Sequence, residues 1–315
     1  MMKFAVAFPG QGSQSVGMLA ELADAAPVVR ETFDAASGVL GYDLWRLATD
    51  GPEEDLNATE RTQPALLAAG IAVWRAWQQR GGARPEVLAG HSLGEYTALV
   101  AAGSIRFEDA VALVAFRGRA MQDAVPAGSG AMAAILGLDD DAVRAACREA
   151  AGTGDIVSAA NFNAPGQVVV SGHSIAVGRA IEAAQAAGAR RAVLLPVSVP
   201  SHCELMRPAA DQLAGRLADI DVRAPEIPVI HNCDVTTKTD PAAIREALVA
   251  QLHQPVLWTG TVRAIQARGA GRLLEFGPGR VLSGLTKRIE KGLPAAAVND
   301  PTSLDKELQE TGVNT

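Results

Sequence analysis

The chain has 315 residues, of which 48% are hydrophobic and 20% charged, a composition typical of a globular protein with a large core. Its formal net charge of -7 argues against nucleic acid as the main partner. The three widely spaced cysteines (Cys147, Cys203 and Cys233) indicate neither a disulfide framework nor a zinc site. No run reaches the roughly 18 apolar residues of a membrane helix, and the apolar N-terminal run is too short for a signal peptide. We therefore expect a cytoplasmic protein.

The first element is a predicted buried strand, Phe4–Phe8, which ends at a tight loop containing Gly10 and Gly12. The glycines would let the backbone approach a ligand, but the third glycine of a dinucleotide-binding fingerprint is missing. A helix is predicted from residue 63 to residue 80, where apolar side chains recur at helical spacing. Trp74 and Trp77 lie on its apolar face and are expected in the core.

A second predicted strand, residues 87–89, ends in the sequence Gly90-His-Ser-Leu-Gly-Glu95, and a helix-compatible segment follows. A G-x-S-x-G pattern between a strand and a helix is typical of a nucleophile elbow, in which a strained turn exposes the serine. The pattern therefore makes Ser92 a candidate nucleophile. An ordinary glycine-bearing loop with an incidental serine remains the alternative at this point.

A predicted helix over residues 107–125 carries Arg117. The order of predicted strands and helices then changes between residues 128 and 198. Predicted strands over 131–136, 156–160, 168–170 and 192–197 alternate with helices over 139–151 and 174–187, the latter capped by Ser174; residues 161–166 are predicted to form a turn. The order β-α-β-β-α-β predicts a ferredoxin-like unit inserted into a larger α/β domain. The α/β alternation then resumes, and the polar tail from residue 299 is expected to be peripheral.

A serine nucleophile needs a base, and His202 is the strongest of the five histidines. It lies in a Pro-Ser-His loop where the chain returns from the inserted unit, and ligand sites are frequent at such domain boundaries. The candidate acids between Ser92 and His202 (Asp109, Asp123 and Asp155) occupy predicted surface positions. A backbone carbonyl could orient the base instead, because the third member of a triad chiefly fixes the tautomer and orientation.

Four separated motifs carry a resemblance to a known family: Phe8-Pro-Gly-Gln-Gly-Ser-Gln14, Thr62-Gln-Pro-Ala-Leu66, Gly90-His-Ser-Leu-Gly-Glu95 and Ser198-Val-Pro-Ser-His202. Asn161-Phe-Asn-Ala-Pro-Gly-Gln167 and Gln251-Leu-His-Gln-Pro255 are weaker matches. Together they resemble the malonyl-CoA:acyl carrier protein transacylases and, more broadly, the acyltransferase domains of polyketide synthases. The resemblance implies an α/β-hydrolase-like core with a parallel sheet (residues 1–127 and 199–315) and a ferredoxin-like βαββαβ insert (128–198).

The same resemblance implies a role for each site residue. Ser92 would carry the acyl group, and His202 would activate it. Gln11 would support the oxyanion region, where the N–H of Leu93 is the main expected donor. Gln251 would supply the carbonyl that orients the histidine.

The substrate is also implied, because Arg117 matches the arginine that pairs with the malonyl carboxylate. Malonyl would pass from malonyl-CoA through a serine ester to the phosphopantetheine thiol of an acyl carrier protein in fatty acid synthesis, by ping-pong kinetics. We expect no cofactor, no metal and a monomer. The basic residues Lys287, Arg288 and Lys291 form one candidate docking surface for the carrier protein, and Arg190 with Arg191 forms another.

Several other functions remain compatible with these motifs. A trans-acting polyketide acyltransferase or the transacylase subunit of a malonate decarboxylase would use the same chemistry on a different carrier. A serine thioesterase or hydrolase would use Ser92 without needing Arg117. A binding module without catalysis is the alternative outside the enzymes.

Overall fold

The computed structural model describes residues 2–197 and 199–312, so Ser198 of the fourth motif lies outside the described residues. The strands are β1 Phe4–Phe8, β2 Val87–Gly90, β3 Gly130–Leu136, β4 Val157–Ala164, β5 Gln167–His173, β6 Arg191–Leu194, β7 Val229–Ile230, β8 Arg272–Phe276 and β9 Ala295–Val298. The α-helices before the second sheet are α1 Ala20–Ala25, α2 Val28–Leu40, α3 Leu44–Asp50, α4 Glu53–Asn57, α5 Thr59–Gln79, α6 Gly94–Ala101 and α7 Phe107–Asp123. The remaining ones are α8 Asp140–Ala150, α9 Ser174–Ala186, α10 Arg207–Ala218, α11 Pro241–His253, α12 Trp258–Ala267, α13 Val281–Ile289 and α14 Pro301–Glu310.

A parallel sheet with strand order β7-β2-β1-β8-β9 forms the centre of the molecule. Every residue of β1 is buried, because side chains alternate between two covered faces of the sheet. Phe4, Val6 and Phe8 pack into the larger core, which includes α5 and α7. Ala5 and Ala7 face a smaller core beside α12 and α13.

The second sheet is antiparallel, with strand order β4-β5-β3-β6, and α8 and α9 pack against it. The predicted mixed α/β architecture is therefore confirmed, with one parallel and one antiparallel sheet. In the described part of the chain, no helix is both long and apolar enough to cross a membrane.

Two local predictions in the antiparallel sheet were wrong. Residues 161–164 were predicted as a turn but extend β4, because two register shifts keep its backbone paired with β5 while Phe162 N–H also bonds to Val256 carbonyl oxygen. The turn shrinks to Pro165 and Gly166, the latter at φ 73°. Ser174 is the first residue of α9 rather than its cap, and its hydroxyl donates to Gly128 carbonyl oxygen instead.

The tail from residue 299 was predicted to be peripheral, and this was also wrong. Its helix α14 is capped by the Asp300 side chain and buries Leu304 and Leu308. Glu307, 1% exposed, makes a bidentate ion pair with Arg272 of β8, at 2.6 and 2.7 Å. Although its sequence is polar overall, α14 has one apolar face and one buried ion pair, and these hold the helix beside the sheet.

We expect Glu307→Gln to lower the free energy of unfolding by about 2 kcal/mol, because the amide cannot accept both guanidinium bonds of Arg272. Urea denaturation would measure the change. Asp305→Asn on the same helix is a matched control, since Asp305 pairs with Arg80 at the surface and its loss should cost less than about 0.5 kcal/mol. Equal losses in the two variants would contradict the assigned role of Glu307.

Candidate active site

Ser92 lies in a sharp turn between β2 and α6, with the unusual backbone angle φ 51°. A Cβ on Gly90 would lie 1.9 Å from the Gly94 carbonyl carbon, and one on Gly94 would lie 2.0 Å from Phe8 carbonyl oxygen. Only glycine fits at either position, so the strand and the helix can meet this closely. A left-handed serine costs about 1–3 kcal/mol, which the surrounding packing must offset.

Asn232 stabilises this turn from the neighbouring strand. Its Oδ1 accepts the Ser92 N–H at 2.7 Å, and its Nδ2 donates to Gly90 carbonyl oxygen at 2.7 Å. Asn232 was not among the predicted site residues. Its position two residues after β7 would indicate this role only once the pairing of β7 with β2 is known, since the ends of adjacent parallel strands lie together.

His202 lies directly beside the serine, with its Nε2 2.8 Å from Ser92 Oγ. Its Nδ1 lies 2.7 Å from the backbone carbonyl oxygen of Gln251. A carbonyl oxygen can only accept, so Nδ1 carries the proton and Nε2 has a free lone pair for the serine hydroxyl. The loop that presents His202 is itself fixed by a bond from His202 N–H to Leu252 carbonyl oxygen at 3.0 Å. The arrangement can therefore transfer the serine proton to Nε2 during nucleophilic attack.

Burial lowers the pKa of His202 to about 3, and the positive charge of Arg117 acts in the same direction. The side chain is 3% exposed, and its ring partners are the Ser92 hydroxyl and a neutral carbonyl. The resting imidazole is consequently neutral at physiological pH, which is the form that can accept a proton.

Arg117 projects from α7 into the same site and is 1% exposed. Its Nη1 donates to Gln63 Oε1 at 2.8 Å, and its Nη2 donates to Gln251 Oε1 at 3.1 Å and approaches Ser92 Oγ at 3.5 Å. The guanidinium also lies 5.4 Å from the ring centre of Tyr96. Its buried Nε has no partner within the described residues. A buried cation with free donor capacity beside a nucleophile can hold an anionic group of a substrate.

Behind the serine, Glu95 is fully buried and accepts three hydrogen bonds. His231 Nδ1 donates to one oxygen at 2.7 Å; Asn232 N–H and Gln251 Nε2 donate to the other at 2.9 and 2.8 Å. Glu95 lies within the Gly90–Glu95 motif but had no predicted role. It is not among the hydrogen-bond partners of the His202 ring, which are Ser92 Oγ and the Gln251 carbonyl.

The remaining predicted residues are distributed around this centre. Gln11 and Leu93 line the cavity of about 220 Å³ that contains Ser92, and Gln11 Nε2 donates to Thr59 Oγ1 at 3.3 Å. Lys287 and Arg288 lie on the last turn of α13, whose first residues line the cavity, and Lys291 follows the helix. The other lining residues include Gln63, His91, Met121, Met132, Asn163, Val169, Val197, Val199, Ser201 and Leu285.

No group of three or more His, Cys, Asp or Glu side chains in residues 2–197 and 199–312 is arranged to hold a metal ion. His91 Nε2 lies 2.8 Å from Asn163 Oδ1, and burial lowers the pKa of this histidine. This bond joins the serine turn to β4 of the antiparallel sheet. The site is therefore enclosed by elements of both sheets.

The pKa of His202 predicts how stability depends on pH. A folded-state value near 3, below the ordinary 6.5, means that the unfolded chain binds this proton first, so stability falls as the pH drops below about 6.5. Asparagine suits the left-handed backbone at position 202 (φ 62°), and it does not titrate. The variant His202→Asn should therefore lack this pH-dependent loss of stability. Between about pH 7 and about pH 5 the wild type should lose about 2 kcal/mol more than the variant in urea denaturation. Parallel pH curves would contradict the lowered pKa.

Residues 6–301 match the acyl transferase domain family. The malonyl CoA-acyl carrier protein transacylase of Salmonella typhimurium is 60% identical over 308 residues, covering 98% of this chain and 99% of that protein. An acyl carrier protein S-malonyltransferase structure from Vibrio cholerae has a TM-score of 0.95 and 60% identity, covering 97% and 99% of the two chains. A malonyl-transacylase in complex with a type II PKS acyl-carrier protein has a TM-score of 0.97 and 59% identity, covering 98% and 99%. The chain therefore belongs to the acyl transferase family, among the malonyl CoA-acyl carrier protein transacylases.

Proposed function

We propose that this protein transfers the malonyl group from malonyl-CoA to the phosphopantetheine thiol of an acyl carrier protein, for fatty acid synthesis. The observation that carries the proposal is the Ser92–His202 pair placed beside a buried arginine with a free donor. Full-length relatives named for this reaction support it, as does the related transacylase solved with its carrier protein.

In the first half-reaction, Ser92 Oγ attacks the thioester carbonyl of malonyl-CoA and its proton passes to His202 Nε2. The C–S bond then breaks, the CoA thiolate leaves, and it takes the proton from the imidazolium. A malonyl-serine ester remains. In the second half-reaction the carrier thiol gives its proton to the same nitrogen, and its sulfur attacks the ester carbonyl. The ester C–O bond then breaks, and Ser92 Oγ takes the proton back from the imidazolium, which leaves the free serine and the malonyl thioester of the carrier.

The negative charge on the carbonyl oxygen needs donors during both attacks. We assign this role to the backbone N–H of Leu93, the residue after the nucleophile and the N-cap of α6. Gln11, which lines the same cavity and is held by its bond to Thr59, would support this region.

Arg117 is the residue that we propose binds the malonyl carboxylate. A carboxylate can accept two hydrogen bonds from one planar guanidinium, which an acetyl group cannot do. A serine hydrolase on the same fold would gain nothing from this buried cation. The backbone carbonyl of Gln251 accepts from His202 Nδ1 and would fix the tautomer of His202 without a carboxylate.

The proposed function also implies a finer assignment of the fold. We interpret the strained turn at Ser92 as a nucleophile elbow. The antiparallel sheet with α8 and α9 has the element order and the strand neighbours of a ferredoxin-like unit. The chain would then divide into an α/β-hydrolase-like core, residues 1–127 and 199–315, and an insert, residues 128–198.

For the carrier protein we propose a docking surface formed by Lys287, Arg288 and Lys291. Val281 and Leu285, on the same helix α13, line the cavity, so a carrier bound here would be close to its mouth. Arg288 also bonds to Gln167 of β5, which fixes the surface to the antiparallel sheet. Because the whole chain is acidic, an acidic partner needs such a local basic patch. A polyketide carrier would fit the same surface, and a type II PKS carrier occupies the related complex.

The covalent step is tested by the intact mass of the protein after mixing with malonyl-CoA. Wild type should gain the mass of one malonyl group, and Ser92→Ala should gain none because the nucleophilic oxygen is missing. Ser129→Ala removes an exposed hydroxyl and serves as the control; it should be modified like wild type. A wild-type protein without any adduct would exclude the proposed function and favour a binding module.

Selectivity tests the role of Arg117. Arg117→Ala should still be acylated at Ser92, but its kcat/KM preference for malonyl-CoA over acetyl-CoA should fall by at least about tenfold, because the carboxylate loses its charged partner. Arg119→Ala, at an exposed position on the same helix, should keep the wild-type ratio. An unchanged preference in Arg117→Ala would contradict the role of Arg117 in binding the malonyl carboxylate and would favour a serine hydrolase.

A further inference from the structure

Arg117 is a buried cation without a direct anionic partner. Within the described ranges, none of its hydrogen-bond or ion-pair contacts is a carboxylate; its partners are two amide oxygens and the serine hydroxyl. Burial lowers the pKa of the guanidinium, whereas the side chains of Tyr96 and Glu95 act in the opposite direction. An isolated buried charge is costly, so its compensation must come from nearby.

Glu95 is the complementary case, a fully buried carboxylate that makes no direct contact with arginine or lysine among the described residues. Its two oxygens accept from a backbone N–H, an amide and the imidazole of His231. The amide and the backbone N–H can only donate in these bonds, so the carboxylate oxygen they share is an acceptor for both.

One side chain, Gln251, lies between the two charges. Its Oε1 accepts from Arg117 at 3.1 Å, and its Nε2 donates to Glu95 at 2.8 Å and to Ser92 carbonyl oxygen at 3.0 Å. The guanidinium can only donate and the Ser92 carbonyl can only accept, so the amide has one possible orientation. The result is a polarised chain of hydrogen bonds from cation to amide to anion.

We propose that Glu95 is the resident counter-ion of Arg117, held one amide away by Gln251 so that the guanidinium stays charged yet free for a carboxylate of the substrate. Glu95 is thus a positioning and specificity-determining residue. This inference rests on the proposed function, in which Arg117 binds the malonyl carboxylate.

Separation by one amide has a physical advantage over a direct ion pair. A carboxylate bound directly to Arg117 would occupy the donors that the substrate carboxylate needs, and it would have to be displaced at each turnover. Through the amide, Glu95 offsets part of the buried positive charge, and this uses only one neutral hydrogen bond of the guanidinium, from Nη2 to Gln251 Oε1. The backbone carbonyl of Gln251 also accepts from His202 Nδ1, so fixing this residue keeps the imidazole in its position beside the serine.

The test is an exchange of the two side chains, Glu95→Gln combined with Gln251→Glu. The net charge and the atoms are conserved, and the backbone carbonyl at position 251 remains available to His202. The carboxylate, however, then lies directly against Arg117. We expect the double variant to lose the wild-type preference for malonyl-CoA over acetyl-CoA by at least about tenfold, mainly through a higher KM for malonyl-CoA.

Glu307→Gln is the matched control, because it removes another buried carboxylate far from the site; it should be less stable and keep the wild-type preference. A folded double variant that keeps the preference within about twofold would overturn the inference. If the exchange does not fold, Glu95→Gln decides: one amide oxygen replaces two carboxylate oxygens, the negative charge behind Gln251 is removed, and the preference should fall. An unchanged ratio in that variant would equally overturn it. Wild-type protein without a malonyl preference would instead exclude the proposed function itself.

Discussion

Helix α6 begins so close to the ends of β1 and β2 that no side chain fits at Gly90 or Gly94. This contact between backbones forces Ser92 into its left-handed conformation and turns its hydroxyl towards His202. The same contact directs the Ser92 N–H and carbonyl into the protein, where Asn232 and Gln251 satisfy them. A strained serine is therefore held by both of its backbone polar groups, and the reactive geometry exists before any substrate binds.

The polar groups behind the serine replace the carboxylate of a triad. His202 is oriented by a neutral carbonyl, while the buried carboxylate behind the serine, Glu95, contacts residues that hold the serine, the histidine and the arginine. A carboxylate in direct contact would raise the pKa of the histidine, whereas here burial and Arg117 lower it to about 3. The imidazole is thus a weak base at rest, and it becomes more basic when a bound anion offsets the charge of Arg117.

The sequence predicted the parts of this site that depend on local pattern. Glycine spacing between a strand and a helix indicated the turn at Ser92, and the family resemblance supplied His202, Arg117, Gln11 and Gln251 as expectations. Side-chain partners from distant segments were not predictable in the same way. Asn232 is 140 residues from Ser92 and is ordinary in its local context. Its role exists only because β7 pairs with β2, and a single sequence does not reveal that pairing.

The errors in the fold have a common physical cause. Asn161–Ala164 was predicted to be part of a turn, and the polar tail from residue 299 was predicted to be peripheral. In the structure Asn161 is buried at the cavity wall with its backbone paired to Val256, and Glu307 is buried against Arg272, so each is held by a partner from another segment. Glu95 follows the same rule inside the active site. A polar residue that must be buried needs specific partners, so the positions hardest to interpret from local pattern are those where distant segments are tied together. In this chain such positions include the ones that support the proposed chemistry.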